Sequence, residues 1–310
     1  MTRVGSFVQQ EAILANYQRT NERINQDQAE ISTGKVAQHY KDIASQTGTL
    51  LSAKRLDTRT AQYQQTNKEL ATTLSIQDTS LNQVASTTQD LRQSILDADS
   101  LDAGGTLMQQ VQGAFAQVLS VLNTQVNGAY IFGGTKTDQP PVTAQTLSDL
   151  QAVPSAANVF QNNTQPINVE IAQGESIQTN FFASQIGQNV MDSLKQIADF
   201  NAGPNGPFSA TLTDVQKQFL AGQAQNLETI TQNLNQLVGQ NGQLQNQVDD
   251  ADTRHTATST TVKGFISDIE DADVAQAISN LNQDQVTLQA SARLIADLQT
   301  NSLLNYLPTA

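Results

Sequence analysis

Along most of this chain the apolar positions recur at alternating spacings of three and four, the period of helices packed side by side. Near the N-terminal end Leu14, Tyr17, Asn21, Ile24, Gln28 and Ile31 keep that alternation. At the other end Val274, Ile278, Leu281, Gln285, Leu288, Ala292 and Ile295 keep it again. Both stripes carry polar residues inside the apolar seam; such residues weaken a coiled coil but fix its register and partner number. Inner stripes follow at Leu74, Leu81, Val84, Leu91 and Ile95, then at Leu107, Val111, Ala114, Val118 and Val121. Another runs through Leu227, Ile230, Leu234, Leu237, Asn241, Leu244 and Val248, extended by Val262, Phe265 and Ile269. Gly34, Gly48, Gly104 with Gly105, and Gly133 with Gly134 are the expected interruptions.

The middle of the chain reads differently. From Thr137 to about Pro207 no helical period is expected, and six of the seven prolines fall here. Ile167–Ile171 and Ser176–Phe182 alternate apolar and polar residues around the segment AQGE, which predicts a β-hairpin with a Gly-containing loop. The order is helices, a β-containing insert, then helices with matching stripes. The fold class expected is mainly α: a long antiparallel helical bundle or coiled-coil rod formed by the N- and C-terminal halves, with a small β-containing insert domain at the far end. The expected divisions are an N-terminal assembly helix and turn over 1–45, a first rod half over 46–136 and a β-rich insert over 137–207. A second rod half over 208–270 and a C-terminal assembly helix over 271–310 complete them.

Composition supports narrow bundles over a thick core. Only five Tyr and ten Phe occur, with no Trp. The formal net charge of −13 argues against nucleic acid and against an anionic membrane surface, since both need clustered Lys and Arg. No membrane span is expected, because no apolar run is long enough. There is no cysteine, which removes disulfides, thiolate zinc sites and cysteine nucleophiles. The first twenty residues lack the apolar core of a cleaved secretory signal, so an exported chain would leave by a route that cleaves none.

Candidate chemistry is sparse. His39 and His255 lie far apart in sequence and read as surface histidines. Asp97, Asp99 and Asp102 suggest a calcium loop, but Leu101 falls where an oxygen ligand is needed and Asp102 where the pattern wants Gly, so a solvated helix end is expected. Asp268, Glu270, Asp271 and Asp273 read as acids favoured near a helix start. Gly104 and Gly105 lack the Lys and Ser/Thr of a phosphate loop. No enzymatic activity, cofactor or metal is expected.

Three segments carry a family resemblance. ISTGK, Ile31–Lys35, is similar to a turn of the flagellin superfamily, although the following VAQHYKDIA keeps only Asp42 of the usual paired Asp and lacks the usual Asn and Pro. GAYIFGGTKT, from Gly128, resembles the signature that in the hook–filament junction branch of that superfamily closes a rod helix and leads into the outer insert. SLLNYL, Ser302–Leu307, resembles the ending of that branch, with PTA added. On this resemblance Tyr130, Ile131 and Phe132 pin a helix end against the neighbouring rod helix, and Gly133 and Gly134 form the rod-to-insert turn.

The resemblance implies a structural protein of the bacterial flagellum. It would form a tubular layer by self-assembly between hook and filament and template flagellin assembly there. The implied partners are further copies, the other hook-associated junction protein, flagellin and a flagellar export chaperone. The location would be extracellular, reached by type III export. The expected assembly interface is Leu14, Tyr17, Ile24 and Ile31 at one end and Ile278, Leu281, Leu288, Ile295, Leu303 and Leu304 at the other. Both ends are expected to be largely unfolded before assembly, because a narrow seam buries too little to offset chain ordering. A filament flagellin is the main alternative; a helical stalk carrying a glycan-binding insert is another.

Overall fold

The computed structural model describes residues 2–100, 103–179 and 181–300. The described chain is mostly helical: α1 Thr2–Thr33, α2 Thr47–Ser100, α3 Leu107–Leu122, α4 Leu147–Ala152, α5 Ala183–Ala202, α6 Asp214–Glu270 and α7 Val274–Thr300. Two antiparallel hairpins accompany them, β1 Gln125–Val126 with β2 Ala129–Tyr130, and β3 Asn168–Ala172 with β4 Glu175–Gln178. The chain divides into two compact units, Met1–Thr60 with Ala257–Ala310, and Ala61–Thr256. The mainly α class and the pairing of the two chain halves agree with the pattern of stripes.

The unit Ala61–Thr256 holds the deep core. The expected stripe of α2 is buried at Leu74, Leu81, Val84, Leu91 and Ile95. Leu81, Val84, Leu91 and Ile95 meet Val111, Val118 and Leu122 of α3, Val190 and Leu194 of α5, and Leu227, Ile230 and Leu234 of α6 in one cluster. The stripe residue Asn241 is fully buried and donates through Nδ2 to the Leu74 carbonyl at 2.9 Å. A smaller cluster joins Leu70, Leu74, Val248 and Ala251 to Ile171 and Ile177 of the second hairpin. That hairpin forms where the alternation placed it, with Val169 opposite Ile177, an irregularity between Glu170 and Ala172, and Gly174 in its loop.

Three local readings need correction. Tyr130, Ile131 and Phe132 are not the last turn of a helix: α3 ends at Leu122, and the chain turns through Asn127 and Gly128 at φ 51° and 82°. Two consecutive positive φ values make the type I′ turn that Asn-Gly favours, so Tyr130 lies on the return strand. The helical period is also not lost throughout 137–207. α5 is a 20-residue helix in which Ala183, Ile186, Val190, Met191, Leu194 and Ile197 make a continuous buried stripe. Finally, Gly48 interrupts nothing; it sits in the first turn of α2. The helix starts use side-chain caps where available. Thr146 and Asp149 form a reciprocal capping box on α4, and Thr213 and Gln216 exchange the same pair of bonds at α6.

Candidate functional site

The unit containing both chain ends is built on α1 packed against α7. Arg23 pairs with Asp284 and Lys35 with Asp271, so the helices run antiparallel. The inward face of α1 is Ile13, Tyr17, Thr20, Ile24, Asp27 and Ile31; that of α7 is Ala277, Leu281, Asp284, Leu288, Ser291 and Ile295. Of the expected interface residues, Tyr17, Ile24, Ile31, Leu281, Leu288 and Ile295 are on these faces. Leu14 and Ile278 are not: they are 50% and 46% exposed. Leu303 and Leu304, with the rest of the SLLNYL segment, lie outside the described residues.

The offset has a physical cause. The expected stripes take the larger or uncharged residue at each step, Gln28 in place of Asp27, Ile278 in place of Ala277 and Gln285 in place of Asp284, and Leu14 follows from that register although Ile13 is as apolar. The actual seam admits Asp284 because Arg23 reaches across with two charge-assisted bonds, Nε to Oδ2 at 2.7 Å and Nη2 to Oδ1 at 2.8 Å. The consequence is an apolar set on the outer surfaces. Besides Leu14 and Ile278, it includes Val8, Val274, Val286 and Leu294, the last two 67% and 55% exposed.

Below this pair the chain crosses to α2 through Gly34, whose φ of +67° closes α1. Val36 donates its N–H to the Glu270 carbonyl at 2.8 Å, and Ala272 donates to the Gly34 carbonyl at 2.9 Å. Lys35 reaches Asp271 at 2.6 Å and Glu270 at 3.5 Å, and Lys54 pairs with Glu270 while lying 5.8 Å from the Tyr40 ring centre. The hydrogen bond to Asp271 raises the Lys35 pKa, and the bond from Lys35 lowers that of Asp271. The acidic cluster therefore divides. Asp273 caps α7, its carboxylate accepting from the Gln276 N–H at 3.0 Å, as expected of an acid at a helix start. Glu270 and Asp271 instead sit at the end of α6, against its dipole, held there by the two lysines.

In the other unit the turn residues are locked by backbone. Tyr130 donates to the Thr137 carbonyl at 3.0 Å and Ile131 to the Thr124 carbonyl at 3.2 Å. Phe132 is fully buried in the main cluster, and its carbonyl accepts from Ala183 at the start of α5. The buried Gly133 accepts at its carbonyl from Lys136 and Asn163. Gly134 has φ +69°, and a Cβ there would lie 2.2 Å from Asn163 Oδ1, so both conformation and space demand glycine. Tyr130 and Ile131 also line a groove of about 690 Å³ with Leu70 and Gln77.

His255 departs from its expected surface role. It is half-buried, stacks on Tyr63 at 5.2 Å between ring centres, and contacts the Ile171 carbonyl through Nε2 at 2.8 Å. It fastens the second hairpin to α2 and α6; nothing in its sequence neighbourhood signalled this. His39 is exposed. Asp97 accepts from Gln93, Asp99 pairs with Lys217, and Asp102 lies outside the described residues. Among the described residues, no three His, Asp or Glu side chains gather into a metal-binding group, and no helix is long and apolar enough to cross a membrane.

Comparison with known proteins bears on what these two units are. Residues 4–137 match the bacterial flagellin N-terminal helical region, and residues 224–307 match the bacterial flagellin C-terminal helical region. Together the two matches span well over half of the chain. The chain is similar to flagellar hook-associated protein 3 of Escherichia coli (strain K12), 26% identical over 318 aligned residues that cover 93% of this chain and 96% of that protein. Among solved structures, it shares its fold with a flagellar hook-associated protein from Vibrio parahaemolyticus, at TM-score 0.60 and 21% identity over 74% of this chain and 100% of that one. It likewise shares its fold with Bacillus cereus FlgL, at TM-score 0.54 and 14% identity over 71% and 99% of the two chains.

Proposed function

The chain belongs to the bacterial flagellin family, and on that premise we propose that it is a structural protein of the flagellum that forms the junction layer between hook and filament. The observation that carries this reading is the α1–α7 pair. It buries only a mixed seam against itself and turns Leu14, Val274, Ile278, Val286 and Leu294 to solvent. Apolar surface distributed along both members of a helix pair is suited to lateral packing against further copies. Likeness along nearly the full length to a hook-associated protein 3 directs the reading to the junction.

In the proposed mechanism the ends are largely unfolded during type III export, with a flagellar chaperone covering them, and fold as each copy adds to a tubular layer. One rim of that layer meets the other hook-associated junction protein and the opposite rim receives flagellin. The assembly residues on this reading are Tyr17, Ile24, Ile31, Leu281, Leu288 and Ile295 within the pair, Leu14 and Ile278 on its outside, and Leu303 and Leu304 beyond the described residues. Tyr130 to Gly134 would set the turn from rod to outer insert. The rod and insert boundaries follow the divisions at 45, 136, 207 and 270 given above.

The test is electron microscopy of cells lacking this gene, with an assay for flagellin in the medium. Bare hooks with flagellin lost to the medium are expected. Hooks that still carry an altered filament would overturn the junction role and make this chain one filament subunit among several.

A further inference from the structure

Between the turn at Gly133 and the start of α5 runs a segment, 161–167, that forms neither helix nor strand. Polar side chains hold it instead. Asn163 donates its N–H to the Gly133 carbonyl at 3.3 Å. Its Oδ1 accepts from the Thr135 N–H at 2.9 Å, and its Nδ2 donates to the Thr135 hydroxyl. Asn162 ties the same segment to α5. Its Oδ1 accepts from the Ser184 N–H at 3.1 Å, and its Nδ2 donates to the Ser184 hydroxyl at 3.0 Å and to the Asn163 carbonyl at 3.3 Å. These bonds answer a need at α5, because the first N–H groups of a helix have no partner inside it. Phe182 at the N-cap makes no side-chain capping bond. The Ala183 N–H goes to the Phe132 carbonyl at 2.9 Å and the Ser184 N–H to Asn162, so two remote segments cap this helix. One turn further on, Gly187 packs so closely on Leu122 that a Cβ there would lie 2.3 Å from it. The packing of α5 on α3 therefore depends on where α5 starts.

We propose that Asn162 and Asn163 are the positioning residues of the rod-to-insert turn. Together they clasp the point where the chain departs, at Gly133 to Thr135, to the point where it returns, at Ala183 and Ser184. Asparagine suits both positions because one amide group carries an acceptor and two donors. At each position the acceptor takes a backbone N–H while the donors reach a hydroxyl, and Asn162 spends its second donor on the Asn163 carbonyl. That last bond couples the two halves of the clasp. Gly134 gives the clasp its room: a Cβ there would lie 2.5 Å from the Asn163 carbonyl oxygen. Both asparagines are half-buried, so their bonds are sheltered from water without being part of the apolar cluster.

The clasp rests on the reading of Tyr130 to Gly134 as the rod-to-insert turn, and its test is separate from that of the junction role. Amide hydrogen exchange of the full chain is followed at Thr135 and Ser184, with the buried stripe of α5 from Val190 to Ile197 as the internal reference. Asn162→Ala should speed exchange at Ser184 about fivefold, the effect of one lost helix cap. It should also speed exchange at Thr135, because Asn162 holds the Asn163 carbonyl. Asn162→Asp keeps the acceptor and loses the donors, so Ser184 should regain its protection while Thr135 does not. Asn163→Ala should speed exchange at Thr135 and, through the same link, at Ser184. Rates at Val190 to Ile197 should stay at the wild-type level in all three variants. Thr135 unmoved by Asn162→Ala, or Ser184 left unprotected in Asn162→Asp, would overturn the clasp. Either result leaves the junction role standing, since that role is read by microscopy of cells lacking the gene.

Discussion

The two units solve the same problem with different materials. In Ala61–Thr256 four long helices close around a continuous apolar cluster, and its buried polar groups are amides and hydroxyls, among them Thr88 and Asn241, which donate to helix carbonyls. In the unit of the chain ends, α1 and α7 meet along a seam that includes Thr20, Asp27, Asp284 and Ser291. Several of their larger aliphatic side chains face outward. A core of the first kind is stable because the chain itself supplies every neighbour. A pair of the second kind is stabilised fully only when something covers its outer face. The contrast teaches that apolar content alone does not define a core: Leu14 and Ile278 are as apolar as Leu194, and only their partners differ.

The most damaging change expected is Phe132→Ala. It removes a fully buried ring from the main cluster, and thermal or denaturant unfolding should register a loss of about 3–5 kcal/mol. Leu194→Ala should cost about 2–5 kcal/mol by the same mechanism. If either is neutral, the deep-core side of the comparison fails. Gly134→Ala forces a side chain into a positive-φ position and against Asn163, and about 1–3 kcal/mol is expected, read by the same melts.

Leu288→Asp sharpens the contrast from the other side. It puts a carboxylate into the half-buried α1–α7 seam. It should leave the unfolding transition of Ala61–Thr256 unchanged, permit export, and abolish incorporation into flagella, scored by sedimentation of secreted protein and by microscopy. A normal filament in that variant would contradict the assembly reading.

Smaller effects belong to the charged contacts. Glu270→Gln weakens the Lys35 and Lys54 pairs and should cost about 1 kcal/mol or less, diminishing further in salt. The Lys35–Asp271 contribution should hold through neutral pH. It is lost as pH falls through the lowered Asp271 value and as pH rises through the raised Lys35 value, which a pH series of melts can follow. Arg254→Ala, at a pair exposed on both sides, should change stability by no more than roughly 0.5 kcal/mol.

The same contrast explains what could be read in advance. The stripes at Leu74–Ile95 and Leu227–Val248 were legible because the chain buries them against itself, and burial follows apolarity there. The second hairpin was legible from alternation around a Gly loop. The first was signalled by Asn127-Gly128 but hidden by the helical run that precedes it. α5 was obscured by the prolines on either side, although its own spacing of apolar residues is regular. At the chain ends the true register depends on Arg23 neutralising Asp284 across 261 positions of sequence, and no local spacing reports that. His255 on the Ile171 carbonyl is hidden for the same reason.

The claim on which the account turns is that the outward apolar face of the α1–α7 pair is covered by neighbouring copies. Because the chain has no cysteine, Ile278→Cys and Leu294→Cys each introduce a single thiol, and its labelling rate can be measured in the free chain and in flagella that contain it. Rapid labelling of both is expected in the free chain, and strong protection after assembly. Equal labelling in the two states would contradict it.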